Sequence, residues 1–398
     1  MWNSKSQIKR VGIYLGVSSS DGGMFQYAQS LLEAAISDGE SRMDVVVVYT
    51  NIDWVPILEN LGINGQPLRN YRLGVTIANI LMAMRLPCFL TRIISLLLNP
   101  LVRELKSYKC DVWIFPAQDS LSWQVFGIKV IGTIHDLMHR YESRFPEVGS
   151  FFRYGIREHR FSNIAKYSDV ILVDSNIGKK QVVESYHIKS DKVYPLPYVA
   201  PSYLSDQKER FDFLGQYKLP MKYLFYPAQF WPHKNHCKLI DALKILSFAY
   251  PDIFLVLSGG FSNTYENVYK YASTKEVLDR IIFLGYVPQD DLAGIYKRAR
   301  ALVYPTFFGP TNIPPLEAFS LGCPVVVSNI YAMPEQYRDA AIYFDPMDEK
   351  NMANAIGRVW SNDKLVLQMI KKGHEVAENN NQSNFNRLFI EIMNKEFL

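Results

Sequence analysis

The sequence has few cysteines and a small net charge, and both features argue against particular classes of protein. It has four cysteines in 398 residues, and none of them belongs to a Cys-x-x-Cys pair. This pattern predicts neither a disulfide framework nor a zinc site, and it is typical of a reducing compartment. The formal net charge is only +4, which does not indicate a nucleic-acid-binding protein.

Long uncharged apolar runs and leader-like segments are also missing. The first ten residues, MWNSKSQIKR, are polar, so we expect no signal peptide. The most apolar stretch, residues 75–98, contains Arg85, Pro87 and Arg92, and no uncharged run reaches the roughly 18–20 residues that a spanning helix needs. We interpret this stretch as helices packed on a domain, with one face on a membrane surface as the alternative.

Several signature motifs are absent as well. There is no Gly-x-Gly-x-x-Gly dinucleotide fingerprint, no Walker phosphate loop and no Gly-x-Ser-x-Gly nucleophile elbow. No Asp-x-Asp pair occurs either, which argues against a divalent cation held by such a pair. We therefore predict no metal site and no cofactor. Anionic ligands would be neutralised by lysine, arginine and helix N-termini instead.

Short apolar runs alternate with helical patterns along the whole chain, which predicts an α/β fold with parallel sheets. The pattern pauses between residues 197 and 220 and restarts at Tyr223. We therefore predict two Rossmann-like domains that face each other across a cleft. The first spans residues 1–200 and the second spans residues 201–380, while residues 381–398 form a terminal helix that is a candidate to pack back on the first domain.

The segment Phe307–Glu317, FFGPTNIPPLE, is the most informative loop of the sequence. It follows a strand-like run and leads into a predicted helix at residues 316–321. Loop amides at a helix N-terminus suit a phosphate, and Gly309 lets the backbone approach a ligand closely. Glu317 can accept hydrogen bonds from sugar hydroxyls, although a helix-capping role is the alternative. Lys234, in the loop FWPHKNH, can neutralise a phosphate.

The first half offers its own group of polar residues. His135 and Asp136 follow the predicted strand VIGTI, and His139 and Arg140 lie on the same loop. Ligands bind at the carboxyl ends of parallel strands, so His135 is placed to contact a substrate or relay a proton. A structural role for this histidine stays open. The pair Gly22–Gly23 ends the loop after the first strand, where a helix begins.

Together these segments resemble glycosyltransferase family 4, whose members have the GT-B architecture of two Rossmann-like domains. The resemblance spans nearly the full length and is strongest over residues 226–346. Its most specific parts there are FWPHKNH, FFGPTNIPPLEA and LGCPVVVS. IHDL at residues 134–137 and the early Gly22–Gly23 add to it. The subtype is similar to bacterial transferases that build O-antigen or capsular polysaccharide.

The resemblance implies that the C-terminal domain binds a donor nucleotide and that the N-terminal domain mainly binds an acceptor. It implies three catalytic residues: Glu317 holds the donor ribose, Lys234 neutralises the diphosphate, and His135 contacts the donor sugar near its reacting carbon. The predicted donor-binding residues are Gly22, Gly23, Lys234, Tyr286, Gly309, Thr311, Asn312, Ile313 and Glu317. The predicted acceptor-binding residues are Asp136, His139 and Arg140.

The sequence departs from the family pattern at two positions. The family has a Glu-x7-Glu motif, and Gly309 stands where the first Glu is expected. The role of that Glu would then pass to another residue, for which Asn312 is the candidate. Gln229 stands where the family often has an arginine, so neutralisation of the diphosphate would rest on Lys234 and helix termini.

The resemblance thus implies a metal-independent, retaining glycosyltransferase with front-face attack. It would move a hexose from a nucleotide diphosphate sugar, with GDP-mannose as one candidate, to a hydroxyl of a growing, lipid-linked polysaccharide such as O-antigen or capsule. The expected partners are the donor, the glycan acceptor and a membrane surface, without nucleic acid. The expected location is the cytoplasm, including the inner face of the cytoplasmic membrane. The alternatives are a catalytically inactive nucleotide-sugar-binding or scaffold subunit, and a GT-B epimerase or phosphorylase.

Overall fold

The computed structural model describes residues 9–37, 43–69, 71–200, 213–309 and 312–398. The chain divides into two compact units. Unit 1 comprises Met1–Ser143, Val148–Tyr198 and Gln382–Leu398, and unit 2 comprises Arg144–Glu147 and Val199–Asn381. The predicted boundary between residues 200 and 201 lies at the edge of the described residues.

Unit 1 is built on a seven-stranded sheet with the order β3-β2-β1-β4-β5-β6-β7, and all its pairings are parallel. The strands are β1 Lys9–Leu15, β2 Met43–Tyr49, β3 Gln66–Pro67, β4 Val112–Ile114, β5 Lys129–Thr133, β6 Val170–Val173 and β7 Val193–Pro195. The helices up to β7 are α1 Gly23–Ile36, α2 Trp54–Asn60, α3 Tyr71–Ala83, α4 Cys88–Leu98, α5 Pro100–Ser107, α6 Leu121–Gln124, α7 Met138–Tyr141, α8 Pro146–Gly149, α9 Phe151–Tyr167 and α10 Asn176–Tyr186.

Two strands of this sheet, β4 and β6, are apolar at every position, as expected where both faces of a sheet are covered. β4 reads VWI and β6 reads VILV, and all their residues are buried. Trp113 belongs to one core cluster, while Trp123 and Phe161 belong to another. The alternation of apolar runs and helices therefore predicted this sheet correctly.

The apolar stretch at residues 75–98 forms two helices, α3 and α4, as the sequence predicted. Arg85 has a positive φ of 51° and ends the run of helical residues, and Pro87 is the N-cap of α4. A proline disfavours helical dihedrals in the residue before it, which explains the break. Along the described part of the chain, every helix is too short or too polar to cross a membrane.

Unit 2 is built on a six-stranded sheet with the order β10-β9-β8-β11-β12-β13, again with parallel pairings. The strands are β8 Leu224–Pro227, β9 Leu255–Ser258, β10 Ile281–Phe283, β11 Ala301–Tyr304, β12 Val325–Ser328 and β13 Ala341–Phe344. The helices are α11 Phe213–Tyr217, α12 His236–Ala249, α13 Tyr265–Thr274, α14 Gln289–Arg298, α15 Ile313–Ser320, α16 Met333–Tyr337, α17 Glu349–Ser361 and α18 Asp363–Asn379. The predicted α/β class is confirmed.

One predicted helix start is wrong in an informative way. The sequence placed a helix at residues 316–321, but α15 begins at Ile313, with Pro314 and Pro315 in its first turn. Proline is tolerated there because the first N–H groups of a helix have no partner within the helix. The double proline is therefore part of the helix and not only its entrance.

The last helix, α19 Gln382–Glu396, packs on α1 within unit 1. The Gln382 Nε2 group donates a hydrogen bond of 2.9 Å to the carbonyl oxygen of Ser30. The rings of Tyr27 and Phe385 meet edge to face, with their centroids 5.6 Å apart. The last helix therefore packs on unit 1, against the helix that follows β1.

Candidate functional site

Each sheet has a point where the strand order reverses, between β1 and β4 in unit 1 and between β8 and β11 in unit 2. The loops that follow the two strands leave in opposite directions at such a point, and a crevice opens at the carboxyl ends of the strands. In unit 2, Lys234 follows β8, Tyr286 follows β10, and the other predicted site residues follow β11. The predicted site residues of unit 1 follow β1 and β5.

Lys234 lies in a short 3-10 turn, Pro232–Lys234, that comes after β8. Its Nζ atom donates to the hydroxyl of Tyr304 over 3.0 Å, at the last residue of β11. The turn is held because the Tyr226 hydroxyl donates to the Lys234 carbonyl over 2.7 Å. Asn235 closes the turn with left-handed dihedrals, and its amide donates to two backbone carbonyls. The ammonium group is thus positioned at the strand reversal.

Asn312 connects this lysine to the start of α15. The Tyr304 hydroxyl donates to Asn312 Oδ1 over 3.1 Å, and Asn312 Nδ2 donates to the Gly309 carbonyl over 3.2 Å. The Tyr337 hydroxyl donates to the Asn312 carbonyl over 3.0 Å. A chain of hydrogen bonds therefore runs from Lys234 through Tyr304 to Asn312.

Gly309, where the resembled family has a glutamate, has a φ of 130°, which L residues rarely adopt. A Cβ atom built there would lie 2.3 Å from the Asn312 Nδ2 atom. The Asn312 amide therefore occupies the space beside the glycine. Its neighbour Ile313, the first residue of α15, is buried. Thr311, a predicted donor contact, lies outside the described residues.

Glu317 is buried on α15, three residues beyond Pro314. Its Oε2 atom accepts a hydrogen bond of 2.7 Å from the hydroxyl of Tyr296, which is buried on α14. A carboxyl group held in this way keeps a fixed direction, as a group that binds sugar hydroxyls requires.

The predicted base contact, Tyr286, has a largely exposed ring. It follows Gly285, which has a φ of 69°. A Cβ atom at Gly285 would lie 3.1 Å from the ring of Phe261, which is also exposed. Two aromatic rings therefore stand at the carboxyl ends of β9 and β10.

In unit 1, His135 follows β5 and is buried. Its Nε2 atom lies 3.0 Å from the carbonyl oxygen of Pro116, and its Nδ1 atom lies 2.8 Å from the hydroxyl of Tyr198. A carbonyl only accepts, so Nε2 carries the proton and Nδ1 accepts from the tyrosine. Burial lowers the pKa of His135 to about 4 against the opposing effect of Asp136. The ring is therefore neutral near pH 7.

The three predicted acceptor residues make different contacts. Asp136 pairs with Arg157 on α9 over 2.6 Å. Burial raises the pKa of Asp136, but the arginine and a backbone N–H outweigh burial and hold the pKa below its usual value. His139 and Arg140 both bond to Glu158 of α9. His139 is fully buried, so its ring contacts protein rather than solvent.

Glu158 is the shared partner of these two residues. Burial raises its pKa, but the hydrogen bonds from His139 and Arg140 outweigh burial and lower the pKa to about 2. The structure therefore ties the loop after β5 to α9 through two carboxylates, those of Asp136 and Glu158.

Gly22 and Gly23 mark the start of α1, after β1. Gly22 is the N-cap, with φ at 55° and ψ at −115°. A Cβ atom there would meet no atom within 4 Å. Position 22 therefore favours glycine because of its backbone dihedrals and not because a side chain would clash with the described residues around the N-terminus of α1.

Sequence reasoning missed the tyrosines that orient the predicted residues. Tyr304 ends a strand, and the strand-end rule applied to β11 could have found it. Tyr296 and Tyr198 gave no local signal, because each lies far along the chain from Glu317 or His135. Within the described ranges, no group of three or more His, Cys, Asp or Glu residues could hold a metal ion.

Comparisons with known proteins show what the chain is similar to. Residues 208–376 match the family model described as Glycosyl transferases group 1. The O-antigen chain mannosyltransferase RfbU of Salmonella typhimurium is 28% identical over 57% of this chain and 60% of its own length. The O-antigen chain mannosyltransferase B of Escherichia coli is 31% identical over 45% of this chain and 48% of its own. The chain thus spans about half the length of these curated relatives.

Solved structures extend the likeness to the whole chain. The structure of Anabaena HepE in complex with UDP and glucose has a TM-score of 0.74 at 13% identity, and it covers 97% of this chain and 100% of its own. At this identity the likeness shows the fold alone. Unit 2 therefore carries a segment that matches the glycosyl transferases of group 1, and the chain has the GT-B fold and resembles bacterial O-antigen mannosyltransferases over about half its length.

Proposed function

We propose that the protein is a retaining glycosyltransferase that acts on a nucleotide diphosphate sugar. The donor hexose, with GDP-mannose as the first donor to test, would pass to a hydroxyl of a growing, lipid-linked polysaccharide such as O-antigen or capsule. The reaction would take place in the cytoplasm, at the inner face of the cytoplasmic membrane. The names of the two O-antigen relatives support this choice of donor and acceptor.

The observation that carries the proposal is the hydrogen-bonded series Lys234, Tyr304 and Asn312 at the strand reversal of unit 2. It places one ammonium group beside the N-terminus of α15. A cation and the positive end of a helix dipole together stabilise the negative charge that develops on a departing diphosphate. No metal or other cofactor is needed in this scheme.

Glu317 would hold the donor ribose on the next turn of α15. Its carboxyl group already accepts from Tyr296, so its direction is set before a ligand binds. In unit 1, the neutral His135 would contact the donor sugar near its reacting carbon. The acceptor hydroxyl would lose its proton to a donor phosphate oxygen in a front-face attack.

A second candidate is a subunit that binds the nucleotide sugar but does not transfer it. The observation that favours it is Gly309, which stands at the position of a family glutamate and has the Asn312 Nδ2 atom 2.3 Å from where a Cβ atom would lie. This candidate predicts donor binding without turnover, so one set of measurements separates the two.

The experiment is a thermal-shift panel of GDP, UDP, dTDP, ADP and CMP, followed by a transfer assay with the sugar of the stabilising nucleotide. A ligand at about 100 times its dissociation constant adds about 2.7 kcal/mol of stability. We expect one nucleotide to stand out and transfer to follow. A clear thermal shift with unaltered nucleotide sugar after long incubation favours the scaffold, and no shift with any nucleotide contradicts both candidates.

The site assignment needs two variants with matched controls. Lys234→Met should slow transfer, and Glu317→Gln should weaken donor binding. Lys270→Met and Glu378→Gln make the same chemical changes at exposed positions of α13 and α18. Full activity in both site variants would contradict the assignment, whereas equal losses in the controls would point to general damage.

A further inference from the structure

The outer face of α3 and α4 in unit 1 is apolar, and no residue of unit 1 that the structure describes covers it. We call this face the α3–α4 face and define it by the exposed side chains Leu73, Ile80, Phe89, Ile93 and Leu97. They recur at helical spacing along one side of each helix. Phe89 and Leu97 keep 63% and 64% of their surface exposed, so the face is not a set of half-covered core residues.

The packing of α4 turns its small and polar residues inward. Its buried residues are Cys88, Thr91 and Ser95. The Ser95 hydroxyl donates to Gln124 Oε1 over 2.7 Å, and the Arg92 Nε atom donates to the Trp123 carbonyl over 2.9 Å. These polar contacts fix the orientation of α4. The apolar side therefore faces outward because of specific bonds and not because the helix is loosely packed.

The neighbouring end of α9 extends the α3–α4 face. Arg85, between α3 and α4, donates to the carbonyl oxygen of Phe152 over 3.5 Å, which brings the first turn of α9 beside the two helices. Phe151 in that turn is 90% exposed and Phe152 is also exposed. Two further aromatic rings therefore stand next to the apolar stripe.

The charges of this segment all have one sign. Residues 60–103 contain five arginines, at positions 69, 72, 85, 92 and 103, and no Asp, Glu or Lys. Of these, Arg69, Arg72, Arg85 and Arg103 are exposed. Glu59 and Glu104 bound this segment, and Glu104 Oε1 accepts a hydrogen bond of 3.4 Å from the Arg69 N–H. An apolar helix face flanked by several arginines is the pattern of a helix that lies in the interface of an anionic bilayer.

We propose that the α3–α4 face binds the surface of an anionic lipid bilayer, with Phe89, Leu97 and Phe151 entering the headgroup region and the arginines facing lipid phosphates. The inference names the residues by which the chain would meet the membrane, which the proposed function leaves open. It is argued from unit 1 alone, so vesicle binding and glycosyl transfer can each succeed or fail without the other.

The test is co-sedimentation of the purified protein with vesicles of phosphatidylcholine alone or with one-third phosphatidylglycerol. We expect binding to the anionic vesicles that weakens as salt is raised. Phe89→Ser/Leu97→Ser should weaken it by about tenfold or more. The matched control is Phe248→Ser/Leu367→Ser, whose side chains are 78% and 68% exposed on α12 and α18, and it should bind like the unmodified protein.

Charge is tested with Arg69→Gln/Arg72→Gln against Arg298→Gln/Arg358→Gln, which are exposed arginines of unit 2. Only the first pair should weaken anionic binding, by about tenfold or more. The single variant Phe151→Ser tests the aromatic part of the surface by itself and should also weaken binding to anionic vesicles. Its ring is almost fully exposed, so the change should leave folding unchanged.

Three results would overturn the inference. One is that the unmodified protein sediments with neither kind of vesicle. Another is that Phe89→Ser/Leu97→Ser binds as well as its control. The third is a dimer in lipid-free buffer that this variant makes monomeric, because a second copy of the chain would then cover the α3–α4 face.

Discussion

Removing the Tyr296 hydroxyl tests how Glu317 is held. The change is Tyr296→Phe, which deletes the donor of the 2.7 Å bond to Glu317 Oε2 and leaves the ring in the core. A hydrogen bond to a charged group contributes about 1.5–3 kcal/mol, whereas a bond between neutral groups contributes about 0.5–1.5 kcal/mol. With Glu317 as a carboxylate, we expect Tyr296→Phe to lower the free energy of unfolding by about 2 kcal/mol.

The chain offers a matched control in the same unit. The Tyr223 hydroxyl donates to the carbonyl oxygen of Ile295 over 2.8 Å, and Tyr223 and Tyr296 are both fully buried. Tyr223→Phe therefore deletes the same atom from an equally buried ring, but the lost bond is neutral. We expect it to cost about 1 kcal/mol. Urea unfolding followed by circular dichroism measures both losses.

The functional consequence should separate the two variants further. Tyr296→Phe frees the direction of the Glu317 carboxyl, so donor affinity should fall by about three- to tenfold, which corresponds to about 0.7–1.4 kcal/mol. Tyr223→Phe should leave affinity unchanged. Equal losses of stability and of affinity in the two variants would refute the reasoning that Tyr296 holds a charged, ligand-binding carboxylate.

Two further changes test the histidine and the glycine of the site. The pKa of His135 is about 4 in the folded protein and about 6.5 in the unfolded chain. The folded state therefore has its full stability above about pH 6.5 and loses about 3 kcal/mol of it as the pH falls through about 4. His135→Gln should reduce this pH dependence in urea titrations, and an unchanged slope would contradict it. Gly309→Ala should lower the unfolding temperature and donor affinity, because φ is 130° and the new Cβ meets Asn312 at 2.3 Å. Gly62→Ala, at a φ of 66° in open space, is its control for backbone strain alone, and equal effects of the two changes would show that Asn312 does not matter.

The fold could be predicted from the sequence because short apolar runs alternate with segments of helical periodicity. β4 and β6 are apolar at every position, as strands covered on both faces must be. The first and last residues of each element were harder to predict from the sequence, and α15 shows why. Two prolines in succession look like the end of a loop, yet a helix accepts them in its first turn, so the helix starts at Ile313.

The site was predictable to the extent that its residues follow strands. Lys234 follows β8 and Asn312 follows β11, and the strand-end rule points to both. Lys234 contacts Tyr304, which lies 70 residues further along the chain, and His135 contacts Tyr198, which lies 63 residues further along. No local pattern encodes such a contact, because it depends on how two elements pack.

The same limit applies to α4, because the sequence alone does not show which side of this helix faces the core. Residues 88, 91 and 95 share one side of the helix, and residues 89, 93 and 97 share another, so helical spacing permits either side to face the core. Hydrophobicity favours burying Phe89, Ile93 and Leu97, but the structure buries Thr91 and Ser95 instead. The bond from Ser95 to Gln124 makes that choice tolerable, since a buried hydroxyl without a partner is costly. The apolar side of α4 is therefore exposed and available to a partner outside unit 1, and an anionic bilayer is the partner that the neighbouring arginines favour.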